Sequence, residues 1–266
     1  MLQAKNGCLR LPDGEMDYIC FGSGSKPLVL LPGVGDGLKT VRGMALPFAL
    51  LYRELAREFR VYVFSRRREL PAHFSTREMA ADQSRAMELL NLRNAAVVGV
   101  SQGGMIAQWL AIDYPEQLGK LVLTVTAGRP NDTVRQVIGH WMDLAGREDY
   151  AAIMLDTAER SYSPRRMRQA RLEYKLLGRM GKPKSFARFV TQAESCLNHD
   201  AYAELDRICC PTLVIGGGED RIVTWEASRE IAGRIPGATL HCYERLGHSL
   251  YEEAPDFLTR VADFCR

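Results

Sequence analysis

The 266-residue chain contains no run of about eighteen apolar residues, which excludes a membrane-spanning helix. Its opening residues, Met1-Leu2-Gln3-Ala4-Lys5-Asn6-Gly7, lead into no apolar core of the kind a secretory signal needs, so a cytoplasmic setting is expected. A surplus of one charge is missing too. With 35 Lys and Arg against 32 Asp and Glu, the formal net charge is +3, which gives no electrostatic footprint for nucleic acid or an anionic membrane surface as a partner. The 7 cysteines are odd in number and scattered (Cys8, Cys20, Cys196, Cys209, Cys210, Cys242, Cys265), and no pair has zinc-ligand spacing. Buried thiols are therefore expected, with no metal. The adjacent Cys209 and Cys210 read as the approach to a strand, because neighbouring side chains on an extended backbone point to opposite faces. Internal repeats and low-complexity segments are absent as well.

What is present is the composition of an ordinary globular protein, 46% hydrophobic and 25% charged, long enough for one large α/β domain plus an insertion. Short β-rich runs alternate with helical ones, the pattern of a mostly parallel, doubly wound sheet covered on both faces. Met16 to Phe21 reads as an antiparallel strand at the sheet edge, and Leu28-Val29-Leu30-Leu31 as the first fully buried strand. A helix is expected from Pro47 to Phe59, a strand from Val61 to Ser65 and a helix from Thr76 to Asn91 with apolar residues on one side. A buried strand starts at Ala95, its helix ends near Tyr114-Pro115, and Leu121 to Val125 is the next strand. Helical stretches then follow one another from Val134 to Leu197, before strand logic resumes at Pro211 to Gly218. The division this suggests is 1–128 for the first part of the α/β core, 129–203 for a helical cap insertion and 204–266 for the second part of the core.

The most informative stretch is Ala95-Ala96-Val97-Val98-Gly99-Val100-Ser101-Gln102-Gly103-Gly104, where a buried strand enters Gly-x-Ser-x-Gly and then a helix. The pentapeptide alone arises by chance in roughly one chain in ten of this length. In this context it is a nucleophile elbow: the sharp turn strains the serine backbone and lifts its Oγ above the sheet, and the glycines let strand and helix approach.

A serine hydroxyl is a poor nucleophile at neutral pH and needs a base and a group to orient that base. Among 5 histidines, His248 stands in a loop after a strand and before the last helix, where an imidazole leans over the sheet edge; His241 lies within a strand, and His73, His140 and His199 lack a strand-end setting. Asp220 follows the strand and the Gly216-Gly217-Gly218 turn directly, at the carboxyl edge where sites of open α/β sheets collect. A solvated turn residue is its plain alternative, and Glu219 competes for the same role.

The order Ser101, Asp220, His248 is that of the α/β-hydrolase fold. Over nearly its whole length the chain resembles that superfamily, through Leu30-Leu31-Pro32-Gly33, the elbow, Pro211-Thr212-Leu213-Val214-Ile215-Gly216 leading to Asp220, and Gly247-His248 before Pro255. The resemblance implies a serine hydrolase with a helical cap, acting without a cofactor on a small-molecule ester, thioester or lactone. It further implies catalytic Ser101, Asp220 and His248 and an oxyanion hole from the backbone N–H groups of Val34 and Gln102. Carbon–carbon bond hydrolysis, a lyase reaction or a ligand-binding receptor use the same residues as alternatives.

Two departures bear on substrate. Pro32 stands where many relatives have histidine, and Ser65-Arg66-Arg67-Arg68 replaces an Asp-x-Arg-Gly loop. From Glu159 to Arg188 there is a local excess of 8 positive charges (Arg160, Arg165, Arg166, Arg168, Arg171, Lys175, Arg179, Lys182, Lys184 and Arg188 against Glu159 and Glu173). A solvated basic helix face accounts for them; the sharper expectation is an anionic substrate clamped by some of these residues with Arg66 or Arg67. Trp141 and Tyr162, with Met142, Met154 and Tyr174, are candidates for an apolar acyl pocket or for packing within the cap.

Overall fold

In the computed structural model, which describes residues 3–177 and 181–266, the chain enters its sheet through an antiparallel hairpin of β1 (Lys5–Leu11) and β2 (Gly14–Phe21). Then come the apolar runs that have no polar face and so require cover on both sides. These are β3 (Lys26–Leu31), β4 (Phe59–Arg67), β5 (Ala95–Val100), β6 (Leu118–Thr124) and β7 (Thr212–Gly217), with β8 (Thr239–Tyr243) at the far edge. Among the described residues they form one eight-stranded sheet in the order β1-β2-β4-β3-β5-β6-β7-β8, parallel from β4 onward.

Side chains alternate between the two faces with the period of a strand. Leu28, Leu30 and Val98 pack on one side with α1 (Ala45–Leu51), α2 (Arg53–Glu58) and α11 (Phe257–Cys265). Val29, Leu31 and Val97 pack on the other with α3 (Thr76–Leu89) and α4 (Gln102–Asp113). Each fully buried Leu or Val in these layers stabilises by roughly 1.5–3 kcal/mol.

The chain leaves β3 in one direction to build β4 and returns past it to build β5. Strand order therefore reverses between β3 and β5, and their carboxyl ends flank the crevice where ligands of such sheets bind. Between β6 and β7 lie α5 (Asp132–Gly146), α6 (Tyr150–Ser161), α7 (Pro164–Leu177) and α8 (Ala187–Leu197), followed after β7 by α9 (Trp225–Arg234) and α10 (Leu250–Glu253). No helix among the described residues is long and apolar enough to cross a membrane.

Three local expectations are corrected. β1 precedes the strand taken as the edge; it buries only Leu9 and Leu11, so its apolar signal is weak. The single helix expected over Pro47 to Phe59 is two, broken at Tyr52, with Phe59 already in β4. β4 continues through Arg66 and Arg67, which are strand residues and not a loop, because Arg67 still pairs with Met16 of β2 and both side chains find internal partners.

His199 shows how the insertion returns to the core. Its ring lies between Thr76 Oγ1 (2.9 Å) of α3 and Gln108 Oε1 (3.3 Å) of α4, edge-on to Trp109. Burial lowers its pKa to about 3. Between that value and the ordinary one near 6.5, the unfolded chain binds a proton that the folded chain refuses, so stability falls as pH drops through this window, by up to ~1.4 kcal/mol per pH unit. Urea denaturation across that range should show the slope, and His199→Gln should flatten it.

Candidate active site

Ser101 joins β5 to α4 with φ 53° and ψ −121°, a left-handed region that costs a non-glycine residue on the order of 1–3 kcal/mol. The surroundings enforce it: Ser101 N donates to Thr124 O (3.0 Å) on β6, and Thr126 Oγ1 donates back to Ser101 O (2.8 Å). Glycine at 103 is a steric requirement, since a Cβ there would stand 1.9 Å from the carbonyl oxygen of Leu31 at the end of β3. The strand, the first loop and the helix therefore meet at a spacing that brings Gly33 against the Ser101 side chain.

His248 and Asp220 come together from the loops after β8 and β7. Their Nδ1 and Oδ2 atoms are 2.8 Å apart, with side chains only 8% and 1% exposed. Asp220 Oδ1 accepts from the amides of Ile222 (2.8 Å) and Val223 (3.1 Å). Burial opposes its charge, but His248 and the two amides outweigh burial and hold the carboxyl below the usual carboxylate range. With Nδ1 so engaged, Nε2 is the nitrogen left for other chemistry. His248 lines the same cavity as Ser101 without hydrogen-bonding to its Oγ, a looseness common in sites without substrate.

Val34 opens the 3-10 turn Val34–Gly37, and Gln102 opens α4. First-turn amides have no partner within a helix, so both N–H groups are free to serve a ligand. A buried polar cluster fixes both segments. Asp36 Oδ2 accepts from Arg66 N (3.0 Å), from Gln192 Nε2 (3.4 Å) and from Arg188 Nη2. Arg188 of α8 also donates to the carbonyls of Arg67 (2.8 Å) and Arg66 (2.9 Å). Arg66 Nη2 donates to Pro32 O (2.5 Å) and Gln102 Oε1 (2.9 Å), and Gln102 Nε2 donates to Gln192 O (2.7 Å) and Ser195 Oγ (3.0 Å). Burial lowers Arg66 to about 10, leaving it charged at neutral pH.

The cavity is about 440 Å³, and Pro32, Val34, Ser101, Trp141, Tyr162 and His248 are in its wall. Trp141 is held by its indole N–H donating to Asp156 (2.7 Å). Of the substrate-binding candidates, Trp141 and Tyr162 reach the cavity, while Arg66 and Arg67 do not. Arg66 is buried outside the cavity wall and engages the cluster above through Nη2, with Nε and Nη1 buried without a partner; Arg67 donates to Asp82 (2.7 Å) and stacks on Phe74 on the opposite side of the strand. Most of the described basic residues of the insertion are also directed elsewhere: Arg160 pairs with Asp156, Arg171 with Glu159 and Lys182 with Glu148. Arg179 and the Lys175 side chain lie outside the described residues. Asp36, Gln192, Ser195 and Glu252 are absent from the sequence reading. Asp36 was visible as the charge in a glycine-rich loop, and Glu252 as an acid in the short helix that follows His248.

The family described as alpha/beta hydrolase fold matches residues 26–255. A 2-hydroxy-6-oxononadienedioate/2-hydroxy-6-oxononatrienedioate hydrolase of Pseudomonas sp is 27% identical over 188 residues, covering 67% of this chain and 65% of the relative, so the match spans about two thirds of that protein. A putative carbamate hydrolase RutD of Pseudomonas syringae pv. syringae is 30% identical over 68% of this chain and 70% of its own length. Among solved structures, MGS-M2, an alpha/beta hydrolase enzyme from a Medee basin deep-sea metagenome library, superposes with a TM-score of 0.87 at 19% identity, over 97% of this chain and 96% of that one. At that identity the likeness is one of fold.

Two outcomes follow from the geometry. Ser101→Gly should raise stability in urea by about 1 kcal/mol, because glycine relieves the left-handed strain. Arg188→Met should cost about 3–5 kcal/mol by leaving Asp36 buried beside too little positive charge, and adding Asp36→Asn should restore part of the loss. Simple additivity of the two changes would disprove the pairing.

Proposed function

The chain belongs to the alpha/beta hydrolase fold family, and from that premise we propose that it hydrolyses a small-molecule ester, thioester or lactone through an acyl-enzyme on Ser101. The observation that carries this reading is the 2.8 Å contact between His248 Nδ1 and Asp220, which leaves Nε2 for the serine proton. In the first half-reaction the Ser101 Oγ attacks the carbonyl carbon as Nε2 takes its proton. The negative charge on the carbonyl oxygen falls to the amides of Val34 and Gln102, each such donor lowering the barrier by about 3–4 kcal/mol. The protonated imidazole then delivers its proton to the departing alcohol or thiol. Water, deprotonated by the same Nε2, attacks the acyl carbon and returns Ser101 to its starting form.

A second reading is cleavage of a carbon–carbon bond or a carbamate by the same residues, favoured by what the relatives above are named for. Both readings use the same three side chains and differ in which bond leaves the tetrahedral centre.

A fluorophosphonate probe should label the protein once per chain, and Ser101→Ala should abolish labelling. Asp220→Asn should lower kcat on the order of 10,000-fold, the scale for an imidazole held in the wrong tautomer. An unlabelled wild-type protein at neutral pH would instead favour a binding role for the cavity.

A further inference from the structure

The cavity wall is apolar along Val100, Trp141, Ile153, Met154 and Phe189, and one of its polar places is a cluster of three side chains beside Ser249 and Ser161. There, Tyr162 OH donates to Glu252 Oε2, and the hydroxyls of Tyr162 and Tyr174 are 2.9 Å apart. Tyr162 and Tyr174 come from the insertion and Glu252 from α10. The two sides are fastened together by Ser249 N donating to Ser161 O (3.0 Å) and Ser163 N to Glu253 Oε1 (2.9 Å).

The protons of this cluster can be counted. A phenol has one, and that of Tyr162 goes to Glu252, so the bond between the two tyrosines is donated by Tyr174. With Glu252 ionised, both hydroxyl protons are then used, and the cluster offers acceptors only, the second carboxylate oxygen of Glu252 and phenolic lone pairs; burial raises the Glu252 carboxyl above its ordinary value, so this state belongs to the higher-pH form. Glu252 keeps accessible surface, and no other described side chain hydrogen-bonds to it. Arg166, the nearest cation by its influence on Glu252, pairs with Glu173 (3.5 Å) and is not part of the cavity wall. Lys39 lines the cavity and also the open groove beside Arg68 and Arg188, so it is shared between the two. Asp36, the other acid in the wall, is neutralised by Arg188.

We propose that Tyr162, Tyr174 and Glu252 select substrates carrying a second polar group that donates a hydrogen bond, a hydroxyl or an amine, and disfavour those with a carboxylate in its place. A carboxylate brought to this cluster meets the Glu252 carboxylate and unshared lone pairs, and none of these three side chains has a proton left to give it. The proposal rests on the cavity being the substrate site of Ser101, and it reverses the anionic substrate suggested by the basic stretch of sequence.

Isothermal titration of the Ser101→Ala protein with methyl esters of matched chain length, ending in methyl, hydroxyl, ammonium or carboxylate, tests it without requiring turnover. The hydroxyl and ammonium esters should bind roughly 10- to 100-fold more tightly than the carboxylate ester, the range for one hydrogen bond to a charged acceptor. Adding Glu252→Gln should remove most of the ammonium advantage; Tyr174→Phe, which spares the Tyr162–Glu252 bond, should reduce it less, with circular dichroism confirming that both variants fold. Equal affinity for all four esters overturns the proposal. So does tightest binding of the carboxylate ester, lost in Lys39→Met, which would give selection to Lys39. Wild-type kinetics on the same esters separates the two levels: a protein that ranks the ligands in this way but turns over none leaves the selectivity standing and removes the ester-hydrolase reading.

Discussion

One carboxylate joins the parts of this molecule that must not move relative to each other. Asp36 sits in the loop after β3, accepts from the backbone at the end of β4 and is paired with Arg188 of α8 in the insertion. A buried ion pair stabilises little in total, since the charges lose their hydration, but it is unforgiving of displacement because either partner left alone is costly. That intolerance is what the site needs. The Val34 amide belongs to the loop that Asp36 anchors, and Gln102, whose amide opens α4, is held from the side by Arg66 and by α8. The two backbone N–H groups proposed to meet a substrate carbonyl are thus located by side chains that are themselves held in a buried polar cluster.

The sheet, its parallel centre and the helical run between β6 and β7 were legible in the sequence because apolar periodicity and glycine-rich turns are local signals. The Ser101, Asp220 and His248 positions were legible by their order and strand-end settings, and the structure places Asp220 and His248 in contact. What escaped was governed by pairing across the chain. Lys5–Leu11 has too few apolar residues to announce a strand and becomes one by hydrogen-bonding to β2. Arg66 and Arg67 carried full charges in what read as a loop; nothing in their neighbours revealed that Gln102, Pro32, Asp82 and Phe74 would surround them.

Charge shows the same dependence on pairing across the chain. The basic excess between Glu159 and Arg188 is real in sequence, yet in space it is divided among separate acids: Asp156, Glu159, Glu173, Glu148 and Asp36. What faces the cavity is decided by which few groups remain after such pairing, Lys39 in one place and Tyr162, Tyr174 and Glu252 in another.

The close contact of Gly103 with the end of β3 has a consequence for how such a protein can change over generations. At the turn beneath the cavity, Gly99 and Gly103 are committed by the approach of neighbouring backbone, so a side chain at either position is lost with the fold. The opposite wall is drawn from α5, α6, α7 and α10, whose inward side chains can be exchanged while the turn beneath stays the same. Variation is thereby channelled into the helical wall of the cavity and away from the turn that carries Ser101.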